Sequence, residues 1–325
     1  MYPVHRARRL RKNPLIRSLV RETTIHNNQL IYPIFVAETS RRQTPVASMP
    51  GIAQYNLDGA LEECLPIYRN GISHFLIFGV PERKDPGGGS GYDEKGIVQQ
   101  SIRKMKQEMP DAVIFTDVCL CAYTDHGHCG IIKNGVISND ESVAVLARVA
   151  LSHAQAGADF VCPSDMMDGR ISVIRRTLDD HGFQETGILS YAAKFSSGFY
   201  GPFREAAHSA PQFGDRKTHQ MDPANRLEAL KEIESDIEEG ADIIMVKPAL
   251  SYLDIIREAR NRFLVPVAAY NVSGEYSMVK AAALNGWIDE KTVRDEILLS
   301  IRRAGADIII TYFARDIALE SNRQA

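Results

Sequence analysis

No run of apolar residues in this chain approaches the roughly 20 needed to cross a bilayer, so no membrane span is expected. A one-signed charge is also missing. The 38 basic and 41 acidic residues leave a net charge of -3, without the signature of a protein built to hold a polyanion. Cysteine is sparse, five in 325 residues, and the count is odd. That speaks against a disulfide framework and for metal ligation or buried thiols. The opening His5-Arg6-Ala7-Arg8-Arg9-Leu10-Arg11-Lys12 is basic, but the apolar core of a signal peptide does not follow it. Serine is nearly absent there, Ser18 alone before residue 28, whereas transit peptides are rich in it. A cytoplasmic protein is expected. No Gly-x-Gly-x-x-Gly follows the first apolar run, which weakens a dinucleotide fold. The glycines of Pro86-Gly87-Gly88-Gly89-Ser90-Gly91 lack the Gly-Lys-Ser/Thr ending of a phosphate loop and read as a flexible connection.

What is present is an alternation. Apolar runs at Leu30 to Val36, His74 to Val80, Ala112 to Val118, Ala158 to Pro163, Gly187 to Tyr191, Asp242 to Val246, Val265 to Val272 and Asp307 to Phe313 read as buried strands. Amphipathic stretches such as Leu57 to Asn70, Glu141 to Ala156, Asn225 to Glu239 and Glu290 to Arg303 read as helices between them. The phrase Gly-Ala-Asp before an apolar run occurs at residues 157–159, 240–242 and 305–307, as if one βα unit were reused. Eight strands alternating with helices predict a closed (β/α)8 TIM barrel, with an open doubly wound sheet as the alternative. The barrel would occupy residues 29–325. Residues 1–28 would form an extended N-terminal arm for subunit contacts. Residues 195 to about 222, rich in Gly, Pro, Ser and aromatics, read as a long irregular lid.

Active sites of such barrels lie at the carboxyl ends of the strands. The polar residues expected there are Asp117, Ser164, Asp165, Lys194, Lys247, Ser273 and Tyr312. Lys247 closes the run Ile243-Ile244-Met245-Val246, and burying an ammonium there favours loss of its proton. Lys194 ends the neighbouring strand, and a second cation depresses a lysine further. Lowering a lysine from about 10.4 to about 7–8 takes roughly 4 kcal/mol, which is reasonable for a buried pair. A neutral lysine attacks a ketone to give a Schiff base. Lys194 also suits a phosphate or carboxylate anchor. Cys119, Cys121 and Cys129, on one loop after the third strand, offer three soft ligands to zinc, with His126 or His128 available to close the site.

These segments together resemble the porphobilinogen synthase (5-aminolevulinate dehydratase) family. The resemblance rests on Met245-Val246-Lys247-Pro248-Ala249, Ser190-Tyr191-Ala192-Ala193-Lys194-Phe195, the Asp117-to-Cys129 loop, Pro163-Ser164-Asp165-Met166-Met167-Asp168-Gly169-Arg170 and Val272-Ser273-Gly274-Glu275-Tyr276. It implies a lyase that condenses two 5-aminolevulinate molecules to porphobilinogen with loss of two waters, in tetrapyrrole synthesis. It implies Lys247 as the Schiff-base lysine and Lys194 as its counterpart for the other substrate, with Asp117 moving or orienting a proton. Ser273 and Tyr312 would hold the first carboxylate. Arg204 and Arg216, with Gln220 close by, would hold the second, a role for which the planar guanidinium is suited. The three cysteines place the chain with the zinc-dependent members. Glu232 matches a position that holds an allosteric magnesium in some members, and assembly would be a homo-octamer. Position 219 is His where members often have Tyr. A Schiff-base aldolase would account for one strand-end lysine but not for the cysteine loop. A nucleic-acid-binding role for the basic arm is disfavoured by the net charge, so no nucleic-acid partner is expected.

Overall fold

A computed structural model describes residues 3–321. Eight parallel strands close on themselves: β1 (Leu30–Ala37), β2 (His74–Val80), β3 (Val113–Val118), β4 (Phe160–Pro163), β5 (Gly187–Lys194), β6 (Ile243–Lys247), β7 (Val267–Asn271) and β8 (Ile308–Thr311). Each pairs with the next, and β8 returns to β1 through Leu30↔Ile309 and Ile31↔Ile310. This is the closed barrel expected from the sequence, and the open sheet is excluded. The apolar runs are continuous because these strands are covered on both sides, by helices outside and by one another within. Every residue of β1, β6 and β7 is buried.

The repeated Gly-Ala-Asp has a physical explanation. Gly157, Gly240 and Gly305 each end a helix with φ between 104 and 127°, a region side chains avoid. The aspartate two residues on then reaches the neighbouring strand. Asp159 accepts from Ile114 N at 2.6 Å, Asp242 from Ile188 N at 2.7 Å and Asp307 from Val267 N at 3.1 Å. Each satisfies an amide at the amino end of the barrel, the end opposite the chemistry.

Three features depart from the sequence reading. An antiparallel pair, Gln43–Pro45 with Ala53–Tyr55, extends the sheet beside β1. A small hairpin, Ile131–Lys133 with Val136–Ser138, follows the cysteine loop. Its turn residues Asn134 and Gly135 both have positive φ, and Asn-Gly is a strong hairpin signal. The lid is not wholly irregular: it contains a 3-10 turn at Gly198–Tyr200 and a short helix at Gly201–Ala206. Proline at the start of that helix supplies the φ a first turn needs. Of the amino-terminal segment, Ala7–Arg11 and Pro14–Leu19 are helical, and Leu10, Leu15 and Leu19 are exposed.

Candidate active site

Lys194 and Lys247 are Cα partners at the carboxyl ends of β5 and β6. A slip in register creates this pairing. Ile244 pairs with Ser190 but Val246 pairs with Ala193, so β5 carries one extra residue between them. Such bulges re-aim side chains next to active sites. Here the bulge lets Tyr191 and Lys194, three residues apart, share the face that Lys247 occupies. The Lys247 Nζ lies 4.9 Å and the Lys194 Nζ 5.7 Å from the centre of the Tyr191 ring. Strict alternation along an unbroken strand would have put them on opposite faces.

Both lysines are buried. Lys194 Nζ donates to the carbonyl of Ser164 at the end of β4. Lys247 sits among rings, with the centre of Tyr270 4.4 Å from its Nζ, Phe203 5.1 Å and Tyr200 5.3 Å away. Burial lowers the Lys247 ammonium, the charge of Lys194 lowers it further, and it settles at about 7 despite the opposing charge of Asp117. Asp117, in β3, is pushed up to about 6 by burial and by Cys121, against the Ser164 hydroxyl and the two lysines. One amine and one carboxyl are thus poised near neutrality on the same rim, the arrangement general acid–base chemistry requires.

The cysteine loop converges as its spacing suggests. Ligand atoms of Cys119, Cys121 and Cys129 lie within 4.8 Å of one another, and all three residues are buried. Neither His126 nor His128 joins them among the described residues. His128 is engaged instead, its Nε2 2.9 Å from the carbonyl of Phe213. Burial works against the charge of Arg216, and the thiols of Cys129, Cys121 and Cys119 more than offset it, so the guanidinium rises. Three clustered sulfurs beside a cation suit a soft, four-coordinate metal with one open position.

The segment 195–222, expected as a lid, packs over this rim. Its ends are pinned where Met221 N donates to Lys194 O at 3.1 Å and Ser196 N to Met221 O at 2.8 Å. Arg216 donates to the carbonyl of Gly127 at 2.8 Å, joining lid to cysteine loop. Phe203 N donates to Ser273 Oγ at 3.0 Å, and Ser273 Oγ in turn to Phe199 O at 3.3 Å. Gly274 permits this approach: a Cβ there would meet Phe199 O at 2.5 Å. The lid also presents polar atoms that are buried without a partner, namely Arg204 Nε, Arg216 Nε and both amide atoms of Gln220. Orphaned donors of this kind call for a ligand, and a carboxylate matches them.

Tyr312 accepts from Tyr270 at 3.1 Å, next to β8. Asp165 is close to Lys194 but faces inward, accepting from Met167 N at 2.7 Å with Arg170 Nε at 4.0 Å. It braces the turn after β4. Arg170 itself is locked by a buried two-pronged bond to Asp236, 2.8 Å on each prong. Glu232 stands apart. It lines a cavity of about 800 Å³ whose walls include Asp168 and Glu228 together with His219 and Gln220 of the lid segment. Burial, followed by Asp236, Asp168 and Glu228, raises its carboxyl against Arg170.

The sequence reading did not find Glu275. Fully buried, it accepts from Leu250 N at 2.8 Å, Val272 N at 3.0 Å and Asn271 Nδ2 at 2.9 Å, while Asn271 accepts from Thr311 Oγ1 at 2.9 Å. One carboxylate thereby ties together the strand ends that carry Lys247, Ser273 and Tyr312. Nothing in a helix-start Val-Ser-Gly-Glu distinguishes such a strut from an ordinary capping glutamate.

The comparisons agree with this geometry. The family model described as delta-aminolevulinic acid dehydratase matches residues 4–319. The delta-aminolevulinic acid dehydratase of Halalkalibacterium halodurans is 57% identical over 319 residues, covering 98% of this chain and 97% of that one. That of Bacillus subtilis is 56% identical over 314 residues, covering 97% of each. Among solved structures, delta-aminolevulinic acid dehydratase (porphobilinogen synthase) from Toxoplasma gondii, in complex with the reaction product porphobilinogen, superposes with a TM-score of 0.96. It is 44% identical, covering 98% of this chain and 92% of that one. With a match spanning nearly the whole chain and a rim that gathers two lysines, a carboxyl and three thiols, this chain belongs to the delta-aminolevulinic acid dehydratase family and is a lyase.

Proposed function

We propose that this rim condenses two molecules of 5-aminolevulinate into porphobilinogen, losing two waters, as a step of tetrapyrrole biosynthesis. The observation that carries the reading is the Lys247 amine: buried and level with Lys194, so that desolvation and the neighbouring charge both lower its pKa. The amine attacks the ketone of one substrate, and water leaves as the imine forms. Tyr312 and Ser273 receive that substrate's carboxylate. Ser273 would exchange its present bonds to the lid backbone for the ligand. Arg204, Arg216 and Gln220 receive the second carboxylate on groups that now lack partners. Lys194 supplies the field that keeps Lys247 neutral and faces the second substrate, with Ser164 holding its Nζ and Asp165 bracing the turn beneath. Asp117, which burial lifts above the ordinary carboxylate range, takes or returns the protons lost as carbon–carbon and carbon–nitrogen bonds form. The shut lid excludes water from a reaction that expels it.

The donor set of Cys119, Cys121 and Cys129 fits zinc. When bound there, zinc would supply Lewis-acid polarisation beside the second substrate. Magnesium typically takes one or two carboxylates and keeps its waters, and Glu232 offers one at a cavity wall. Assembly as a homo-octamer would use residues 1–28, whose first two lie outside the described part. The exposed Leu10, Leu15 and Leu19 of that arm support the reading, being 56–84% accessible in the single chain. Among the described residues no helix is long and apolar enough to cross a membrane, and a cytoplasmic site of action goes with this proposal.

The test is porphobilinogen formation from 5-aminolevulinate, followed by its colour reaction, with metal content measured on the same sample. The expected result is turnover that falls with zinc content under a chelator and returns with added zinc. Turnover unchanged in zinc-free protein would remove the metal from the proposal, and no product under any condition would remove the reaction.

A further inference from the structure

The surroundings of the two amines differ in kind. Lys194 Nζ has a carbonyl acceptor, whereas Lys247 Nζ is enclosed by the faces of Tyr270, Tyr191, Phe203 and Tyr200 at 4.4, 4.9, 5.1 and 5.3 Å. We propose that these four rings form an aromatic cage whose task is to stabilise the protonated imine of Lys247, and that the lid completes the cage when it shuts. The inference rests on the Schiff-base reading above and adds the groups that favour the adduct once it forms.

The balance of the step shows why a cage is useful. The neutral amine adds to the ketone carbon, a nitrogen–carbon bond forms, and the carbonyl oxygen departs as water. With one proton taken up from solvent, the product is a cationic iminium. The free enzyme must therefore disfavour a cation at Nζ, so that the amine can attack, and then favour one at the same atom. Burial achieves the first because a compact ammonium loses strong hydration. Ring faces achieve the second. Their quadrupoles attract a cation within about 6 Å, more strongly where water is excluded. An iminium spreads its charge over carbon and nitrogen and has less hydration to lose. Groups that gain on going from amine to iminium contribute to rate as well as to binding.

Placement supports the assignment. Tyr191 is fully buried, with the centre of its ring 4.9 Å from Lys247 Nζ. Tyr191 reaches the cage only through the bulge in β5. Phe203 and Tyr200 come from the lid, and both are seated by the strand ends they cover. Phe203 N bonds to Ser273 Oγ at 3.0 Å and the Tyr200 hydroxyl to Lys247 O at 3.2 Å. Opening the lid would remove two of the four faces, so closure and adduct stability are coupled.

The experiment uses 4-oxopentanoate, which carries the ketone and carboxylate but no amine and so stops at the imine. Phe203 is replaced by phenylalanines bearing one, two and three ring fluorines, which drain the face of charge at nearly constant shape. The fraction of Lys247 reduced by borohydride at equilibrium is read by peptide mapping. The cage predicts an adduct constant that falls stepwise with fluorine count, by about twofold to thirtyfold across the series. It also predicts that Tyr191→Phe, which keeps the ring face, loses far less than Tyr191→Leu, which loses severalfold. A flat fluorine series with normal labelling of the wild type would overturn the cage and leave the Schiff-base reading standing. Equal losses in Tyr191→Phe and Tyr191→Leu would show the hydroxyl at work and likewise overturn it. An unlabelled wild type would overturn both.

Discussion

At the scale of single residues, the account depends on what Lys194 does to Lys247. The two are register partners, and the charge of one depresses the other after burial has already done so. The sign of a substitution follows. Lys194→Met removes a cation, so the Lys247 amine should hold its proton to higher pH. The acid limb of a pH profile for imine formation, expected near 7 in the wild type, should move upward by a unit or so, about 1.4 kcal/mol. Reductive trapping with 4-oxopentanoate across pH reads this without needing turnover. An unmoved limb would mean that burial alone sets the amine and that Lys194 serves only the second substrate.

Among elements, the lid and the strand ends act on each other. Gly274 has no room for a side chain, because Phe199 O would lie 2.5 Å from its Cβ. Gly274→Ala should therefore lift Phe199 and Phe203 from Ser273. A displacement of about 1 Å at a positioned group can cost on the order of 100-fold, and a fall of that size in kcat/KM is expected. The melting temperature should change little, since the barrel itself is untouched. A variant with wild-type kinetics would show that the lid finds another seat. How far the sequence reveals these elements depends on which interaction formed them. The strands are legible because both faces are buried, leaving plain apolar runs. The bulge in β5 is not, since nothing between Tyr191 and Lys194 marks the extra residue that turns both to one face. The lid helix Gly201–Ala206 is hidden too, being six residues held by tertiary contacts more than by its own propensity. Three cysteines on one loop announce themselves by chemistry. The rings that enclose Lys247 arrive from three separate places in the chain, β5, the lid and β7, and no local pattern joins them.

At the scale of the whole molecule, stability should carry a mark of its own. His153 is fully buried in the helix Asn139–Ala156 with neither ring nitrogen bonded, and burial lowers its pKa to about 3. In the unfolded chain the same ring takes up a proton near 6.5. Between these values the unfolded state binds more protons, so stability is lost as pH falls, by at most about 5 kcal/mol. Replacement by a residue that cannot titrate, His153→Leu, should flatten the decline of melting temperature between pH 6.5 and 4. An equally steep decline in that variant would place the acid sensitivity elsewhere. The barrel otherwise separates its tasks by end. Aspartates of the repeated Gly-Ala-Asp secure the amino rim, which leaves the carboxyl rim to hold groups that are costly to bury.

The central claim is that one particular buried amine forms the covalent bond. The direct measurement is borohydride reduction of the wild-type protein during exposure to 5-aminolevulinate, followed by mass mapping of every lysine. The account predicts one substrate-derived mass on Lys247 at low substrate, appearing before any on Lys194 and needing an unprotonated amine. Label confined to Lys194, spread over surface lysines or absent altogether would contradict it.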